Sequence, residues 1–291
     1  MLRKKDINAM KTRIISAVIG LVLLFAVVLS GKYLLGIGIF ILALIGVHEF
    51  YNAIGKAGYK PVRIIGYISC LPILFIGMGV TSAKVYSYIS LFKSINYFSL
   101  GMYAALVFLF VMTIFLHDRY NIADIALTLF GAFYVAFLFS FVPLTRNLPN
   151  GSYFIWMVFI GAFVTDTFAY FTGVFFGKTK FLPAISANKT LEGSIGGIIG
   201  CTVMMVLYGM FINSYSPVNP DIPLYHFAIL GLLNGVLSQI GDWSASAIKR
   251  YVKIKDYGKI MPGHGGVLDR FDSILFIAPV VYFYLSFVIL A

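Results

Sequence analysis

The chain has 291 residues, 60% of them hydrophobic and only 11% charged, with 22 Lys and Arg against 11 Asp and Glu and a net charge of +11. Soluble domains carry about 25% charged residues, so this composition, with a mean hydropathy of +0.93, excludes a water-soluble globular enzyme, a disordered chain and a nucleic-acid-binding domain. The apolar residues fall in long blocks with little alternation, which argues against an outer-membrane barrel and for an all-α, polytopic helical membrane protein.

A span needs about 20 mostly apolar residues. That rule predicts about nine spans, near 14–30, 33–54, 64–80, 97–116, 122–142, 152–176, 193–213, 224–248 and 271–291. Pro61, Pro143, Pro149, Pro183, Pro220, Pro223 and Pro262 fall in the gaps, where broken backbone can find water or protein partners. The Ser/Tyr/Lys mixture of 81–96 leaves room for a half-helix beside the third span. Arg3, Lys4, Lys5, Lys11 and Arg13 before an apolar run have the outline of a signal peptide. Further spans follow and no small-residue cleavage site is evident, so an uncleaved first span is expected. Cys70 and Cys201 both sit in apolar runs, which speaks against a disulfide framework or a thiolate metal site.

Basic residues keep loops on the cytoplasmic side and meet anionic headgroups there. With the N-terminus in the cytoplasm and sides alternating, 18 of the 22 basic residues fall inside, and only Lys32, Lys84, Lys93 and Arg146 fall outside. The expected location is the cell (inner) membrane, with any site facing the cytoplasm.

The two halves differ in kind. Residues 1–150 are greasy, and are expected to be a scaffold of transmembrane helices with a role in lipid access or oligomer contact. Residues 151–272 hold seven of the 11 acids, so 151–291 is expected to be the catalytic region. Asp166 lies inside an apolar span, where a carboxylate costs about 2.5–3.5 kcal/mol on insertion scales and is functional by default. Asp166, Tyr170 and Gly173 stand at i, i+4, i+7 and share a helix face. Gly177-Lys178-Thr179 after Gly173 has only three residues between its glycines and follows a membrane helix, so it is not a phosphate-binding P-loop. Ser186, Lys189 and Thr190 precede a Gly-rich helix start, an arrangement suited equally to phosphate or to a plain capped, basic loop.

The densest segment is 238–272. Asp242, Ser246 and Lys249 again stand at i, i+4, i+7, and Asp269 and Asp272 share a face. Carboxylates are hard ligands of the kind that hold Mg²⁺ together with phosphate oxygens. Lys and Arg side chains and His264 can neutralise phosphate, and Pro262-Gly263-His264-Gly265-Gly266 lets backbone approach a ligand. Lys253, Lys255 and Lys259 fit a solvated basic loop. His48-Glu49, Asp118 and Asp124 fit interfacial or capping positions, and His226 an interfacial one. The residues alone support a membrane-embedded metal-phosphate site facing the cytoplasm, without revealing which phosphate.

At this segment a resemblance enters. Ser246-Ala247-Ile248-Lys249-Arg250, Lys255-Asp256, Pro262 to Gly266 and Asp269-Arg270-Phe271-Asp272 resemble the signature of the phosphatidate cytidylyltransferases (CDP-diacylglycerol synthases). Asp166-x-x-Ala169-Tyr170-x-x-Gly173 and Ser186-x-x-Lys189-Thr190-x-Glu192-Gly193 are similar to that family as well, so the motifs cover about 160–275. Two positions depart: Ala187 stands where the family usually has Pro, and Ala245 where it usually has an acid.

The resemblance implies transfer of CMP from CTP to phosphatidic acid with Mg²⁺, by direct attack of the lipid phosphate on the α-phosphorus. It implies no protein nucleophile and no nucleic acid, and it leaves a homodimer open. On this reading Asp242, Asp269, Lys249 and Arg270 are catalytic, and Asp242, Asp269 and Asp272 bind the metal. Asp166, Tyr170, Ser186, Lys189, Thr190, Ser246, Arg250 and His264 hold substrate. A secondary transporter, a CTP-dependent lipid kinase, a cytidylyltransferase for another lipid phosphate, and an inactive homologue are the alternatives; a transporter would place interrupted helices and acids in both halves. The sidedness is testable in a background without Cys70 and Cys201. A cysteine at Lys32 should react with an impermeant thiol reagent in intact cells, and one at Lys56 only after permeabilisation.

Overall fold

The computed structural model describes residues 4–79, 97–186, 188–215 and 221–290, all-helical apart from loops and two isolated bridges. Ala187, Pro220, Arg3 and the 81–96 segment with Lys84 and Lys93 lie outside the described residues. The helices are α1 (Lys4–Leu29), α2 (Lys32–Lys56), α3 (Arg63–Ile68), α4 (Leu71–Gly77), α5 (Tyr97–Phe115), α6 (Ile122–Gly131), α7 (Leu138–Asn147), α8 (Gly151–Phe176), α9 (Leu191–Tyr215), α10 (Leu224–Tyr251) and α11 (Leu268–Tyr284). A π-helical turn, Ala132–Phe137, joins α6 to α7, and another, Leu285–Ile289, extends α11.

Among the described residues, six helical stretches are long and apolar enough to cross a membrane: 32–56, 122–147, 151–176, 191–215, 224–251 and 268–289. This makes the chain an integral membrane protein. Three of the expected spans are shorter apolar helices, Ile15–Leu29, Arg63–Gly77 and Tyr103–Phe115. The stretch near 64–80 is broken between α3 and α4, where Pro72 opens α4; proline has no N–H to continue the ladder. Asn121 starts α6 with a capping box, its side chain accepting the Asp124 N–H while the Asp124 carboxylate accepts the Asn121 N–H. Asp124 also accepts the Lys60 N–H at 2.6 Å, so the capping role expected of it is the observed one.

Lipid offers no hydrophobic drive for one helix to join another, so close contact needs small residues. On α9, Ile195, Ile199, Val203, Leu207 and Phe211 are exposed, while Gly193, Gly197, Gly200 and Gly209 are buried. The glycine side lies on α8, whose Thr165 carbonyl oxygen would be 2.9 Å from a Cβ at Gly197. On α10, Gly235 meets the backbone of Ile198 in α9, and Gly241 meets the backbone of Asp272 in α11. Helices α8, α9, α10 and α11 thereby pack with little between them. One apolar core runs through both halves of the chain, taking Leu35, Ala43 and Phe50 from α2 together with Phe154, Met205, Leu230 and Leu275.

A Cβ at Gly235 would stand 2.8 Å from the Ile198 Cα. Gly235→Leu should therefore force α9 and α10 apart, at a cost of about 1–3 kcal/mol for overpacking. The check is a lower unfolding midpoint in detergent, with helical content retained below it.

Candidate active site

Among the described residues, two cavities of similar size stand out. One, about 410 Å³, is walled by side chains such as Ile65, Pro72, Ala132, Phe137 and Leu144, with only Ser69 and Ser140 offering hydroxyls. The other, about 420 Å³, gathers most of the ionisable side chains singled out above. Asp166 enters from α8, Lys189 from the loop before α9, Asp242 and Lys249 from α10, His264 from the loop before α11, and Asp269, Arg270 and Asp272 from α11. Its other wall is apolar, with Ala17, Gly20, Leu21 and Leu24 of α1 beside Ala162 and Phe163 of α8.

Each polar element is held by identifiable bonds. Lys189 reaches the cavity because its loop folds back on itself: Phe181 N–H donates to the Lys189 carbonyl at 3.0 Å and Leu191 N–H to the Thr179 carbonyl at 2.9 Å. Glu192 accepts the Lys178 and Thr179 N–H groups at 3.1 Å each, and the Thr190 hydroxyl oxygen accepts the Gly193 N–H at 3.2 Å. Of the two equal readings of this segment, the capped loop describes Thr190 and Glu192, while Lys189 is the side chain delivered to the cavity. Lys189 Nζ pairs with Asp242 at 2.7 Å. Burial is the largest single influence and works against its charge, but the charge and hydrogen bond of Asp242 together with Asp166 and Asp272 outweigh it and raise the lysine above its ordinary value. Lys189 therefore stays an ammonium at neutral pH.

A second pair, Lys249 with Asp269 at 2.7 Å, is more deeply set, with side chains 12% and 3% exposed. The other oxygen of Asp269 accepts two backbone N–H groups, from Tyr257 at 2.8 Å and Gly266 at 2.9 Å. Asp269 thus ties α10, the loop and α11 together. The loop itself turns through Gly263 and Gly265, at φ 77° and 91°, where other residues would be strained. Arg270 Nε donates to the His264 carbonyl at 2.8 Å. The Ser16 hydroxyl of α1 donates to the Pro262 carbonyl at 3.0 Å and lies 2.8 Å from His264 Nδ1. Asp272 is 7% exposed and accepts the Ser273 N–H at 2.8 Å. Among the described residues, neither Asp272 nor Asp166 has a Lys or Arg in ion-pair contact.

Five other expected site residues are not in the cavity wall. Tyr170 is 65% exposed on the outer side of α8, because one helical turn from Asp166 the wall has ended. Arg250 donates to the Ile185 carbonyl at 3.3 Å. Ser186 sits in a turn through its own N–H to the Leu182 carbonyl. Thr190 is the cap already described, and Ser246 is half-buried on α10. Conversely, the wall includes Ser16, Asp256 and Ser273, which sequence reasoning left out of the site. Asp256 was visible as an acid inside the 238–272 segment. Ser16, in a greasy helix over 240 residues away, carried no signal.

The cavity is therefore a half-polar, half-apolar chamber lined by paired cations and carboxylates and by apolar side chains. Asp242→Asn should lower turnover by about 10²–10³-fold if its charge acts directly at a reacting group, with the protein still inserting; near-normal turnover would remove it from the chemistry. Lys253, outside the wall, should tolerate Ala with activity within about twofold, in line with surface substitutions generally.

Comparisons with known proteins show the family of the chain. The model of the Cytidylyltransferase family matches residues 11–288. Among similar proteins, the phosphatidate cytidylyltransferase of Staphylococcus saprophyticus is 33% identical over 273 residues, covering 94% of this chain and 97% of that protein. That of Bacillus subtilis is 30% identical over 278 residues, covering 95% and 98%. That of Staphylococcus aureus is 33% identical over 275 residues, covering 94% and 97%. The match extends well beyond the 160–275 motifs into the N-terminal helices, and the chain belongs to the cytidylyltransferase family of nucleotidyltransferases.

Proposed function

We propose that the protein transfers CMP from CTP to phosphatidic acid, forming CDP-diacylglycerol and pyrophosphate for phospholipid synthesis. The observation that carries this reading is the two-sided cavity. A substrate pair that is part nucleotide triphosphate and part lipid needs cationic and apolar surfaces in one chamber, and Lys189, Lys249 and Arg270 line the same cavity as Ala17, Gly20 and Leu24. The names of the similar proteins point the same way. Because most of the basic loop charge falls on one side, the cavity is assigned to the cytoplasmic face, where CTP is available.

In this reading a phosphate oxygen of phosphatidic acid attacks the α-phosphorus of CTP, and the bond to the β-phosphate breaks as pyrophosphate leaves with its electrons. The two phosphate-bearing substrates repel each other, so the protein's work is to hold them in line and offset charge. Lys189, kept protonated by Asp242, and Lys249, kept in place by Asp269, are cations that require no reorganisation when the negative charge arrives. Arg270 adds a further cation, the His264 imidazole can donate a hydrogen bond to a phosphate oxygen, and the apolar wall of α1 and α8 accommodates the start of the acyl chains.

The donor set suits Mg²⁺. Among the described residues no three His, Cys, Asp or Glu side chains form a metal cage. Mg²⁺ is commonly held by one or two carboxylates together with substrate phosphates and water. Asp242 and Asp272 would hold it, each keeping one oxygen free of the donors named above, with Asp166 facing the same space. Asp269, both of whose oxygens are engaged, would hold Lys249 beside the ion. The ion would supply charge neutralisation on the transferred phosphoryl group and pyrophosphate.

Purified protein given α-labelled CTP, Mg²⁺ and phosphatidic acid should form a labelled CDP-lipid and release pyrophosphate, and chelation of Mg²⁺ should stop it. Label from the γ-phosphate appearing on the lipid would instead establish a kinase. No transfer of either label would overturn the enzyme reading.

A further inference from the structure

Glu49 lies inside α2, in the half of the chain that holds few acids, and is 3% exposed. Among the described residues it has no Lys or Arg in ion-pair contact. A carboxylate in that setting is costly unless its oxygens are hydrogen-bonded. Its partners lie 218 and 219 residues away: one oxygen accepts the Val267 N–H at 3.1 Å and the other the Leu268 N–H at 3.0 Å. These amides begin α11, whose own N-cap residue, Val267, has no side chain that can cap. The first N–H groups of a helix lack internal partners and carry its positive end. Glu49 is the cap, supplied by another helix.

The same carboxylate touches the backbone that holds Asp269. A Cβ at Gly258 would be 2.1 Å from Glu49 Oε1, and one at Gly266 would be 2.2 Å from it. Gly266 gives Asp269 one of its two backbone N–H groups, and Tyr257, the neighbour of Gly258, gives the other. Both turns therefore rest on Glu49, and the residues they and the first turn of α11 present to the cavity are Asp269, Arg270 and Asp272.

We propose that Glu49 is a positioning residue for the transfer reaction: it caps α11 from α2 and sets the aim of Asp269, Arg270 and Asp272 without touching substrate. The proposal rests on the reading of the cavity as the place where CTP and phosphatidic acid react. Glu49→Gln has the same shape but replaces one accepting oxygen with an NH₂, leaving one of the two amides without a partner. The expected result is normal insertion and yield, and faster hydrogen exchange confined to 257–270. Loss of an outer-shell partner typically costs 10–100-fold, so kcat should fall by about that factor while KM for CTP stays within about threefold.

Gly258→Ala keeps the carboxylate but displaces it, and should give the same kinetic pattern more weakly. Unchanged kcat in both variants, unchanged exchange at 267–268 in Glu49→Gln, or faster exchange spread across the whole chain would each overturn the proposal. Absence of CDP-lipid from the unaltered protein would instead overturn the reading of the cavity, and exchange at 267–268 would still decide whether Glu49 holds the turn.

Discussion

The buried carboxylate of Asp269 is the point on which the C-terminal half of the molecule converges. An unpaired charge in that position would cost several kcal/mol. Here one oxygen meets the Lys249 ammonium from α10 and the other meets two backbone N–H groups from the loop between α10 and α11. Those donors come from separate segments, so the charge is tolerated only when all are in place. The arrangement of the cavity and the folding of this region are one electrostatic requirement.

That requirement can be met because the helices come close. In a bilayer, helix contact depends on packing more than on the expulsion of water. Gly241 brings α10 against the Asp272 backbone, Gly235 brings α10 against α9, and Gly197 brings α9 against α8. Larger residues there would separate Asp166, Asp242 and Asp272, which come from three different helices. Two lysines, two aspartates with cation partners and three without one among the described residues (Asp166, Asp256 and Asp272) then share about 420 Å³ with a greasy wall from α1. The α1 contribution is slight in sequence terms, yet Ser16 fastens the loop that carries His264.

Much of this was legible in the residue pattern. Few ionisable side chains are affordable at membrane depth, so the acids of 151–272 stood out, and Asp166, Asp242, Asp269 and Asp272 do face one cavity. Helical spacing put Asp242 with Lys249, and Asp269 with Asp272, on shared faces, and each pair lines the same wall. The same rule placed Tyr170 with Asp166, but a face shared over a whole turn can pass from cavity to exposed surface, and Tyr170 does. Around Lys189 the pattern could not separate a ligand from a cap, because serine, threonine and glutamate serve either purpose.

By itself, the sequence determined that the chain is helical and membrane-embedded, which family it resembles, and that most of its acids gather in the C-terminal half, because hydropathy, charge scarcity and motif spacing are local properties. Only the tertiary structure decided which of the motif residues meet: that Lys189 pairs with Asp242, that Lys249 pairs with Asp269, and that Glu49 caps a helix more than 200 residues away. An acid in an apolar run announces that it needs partners; which partners depends on the helices that glycine contacts allow to pack beside it.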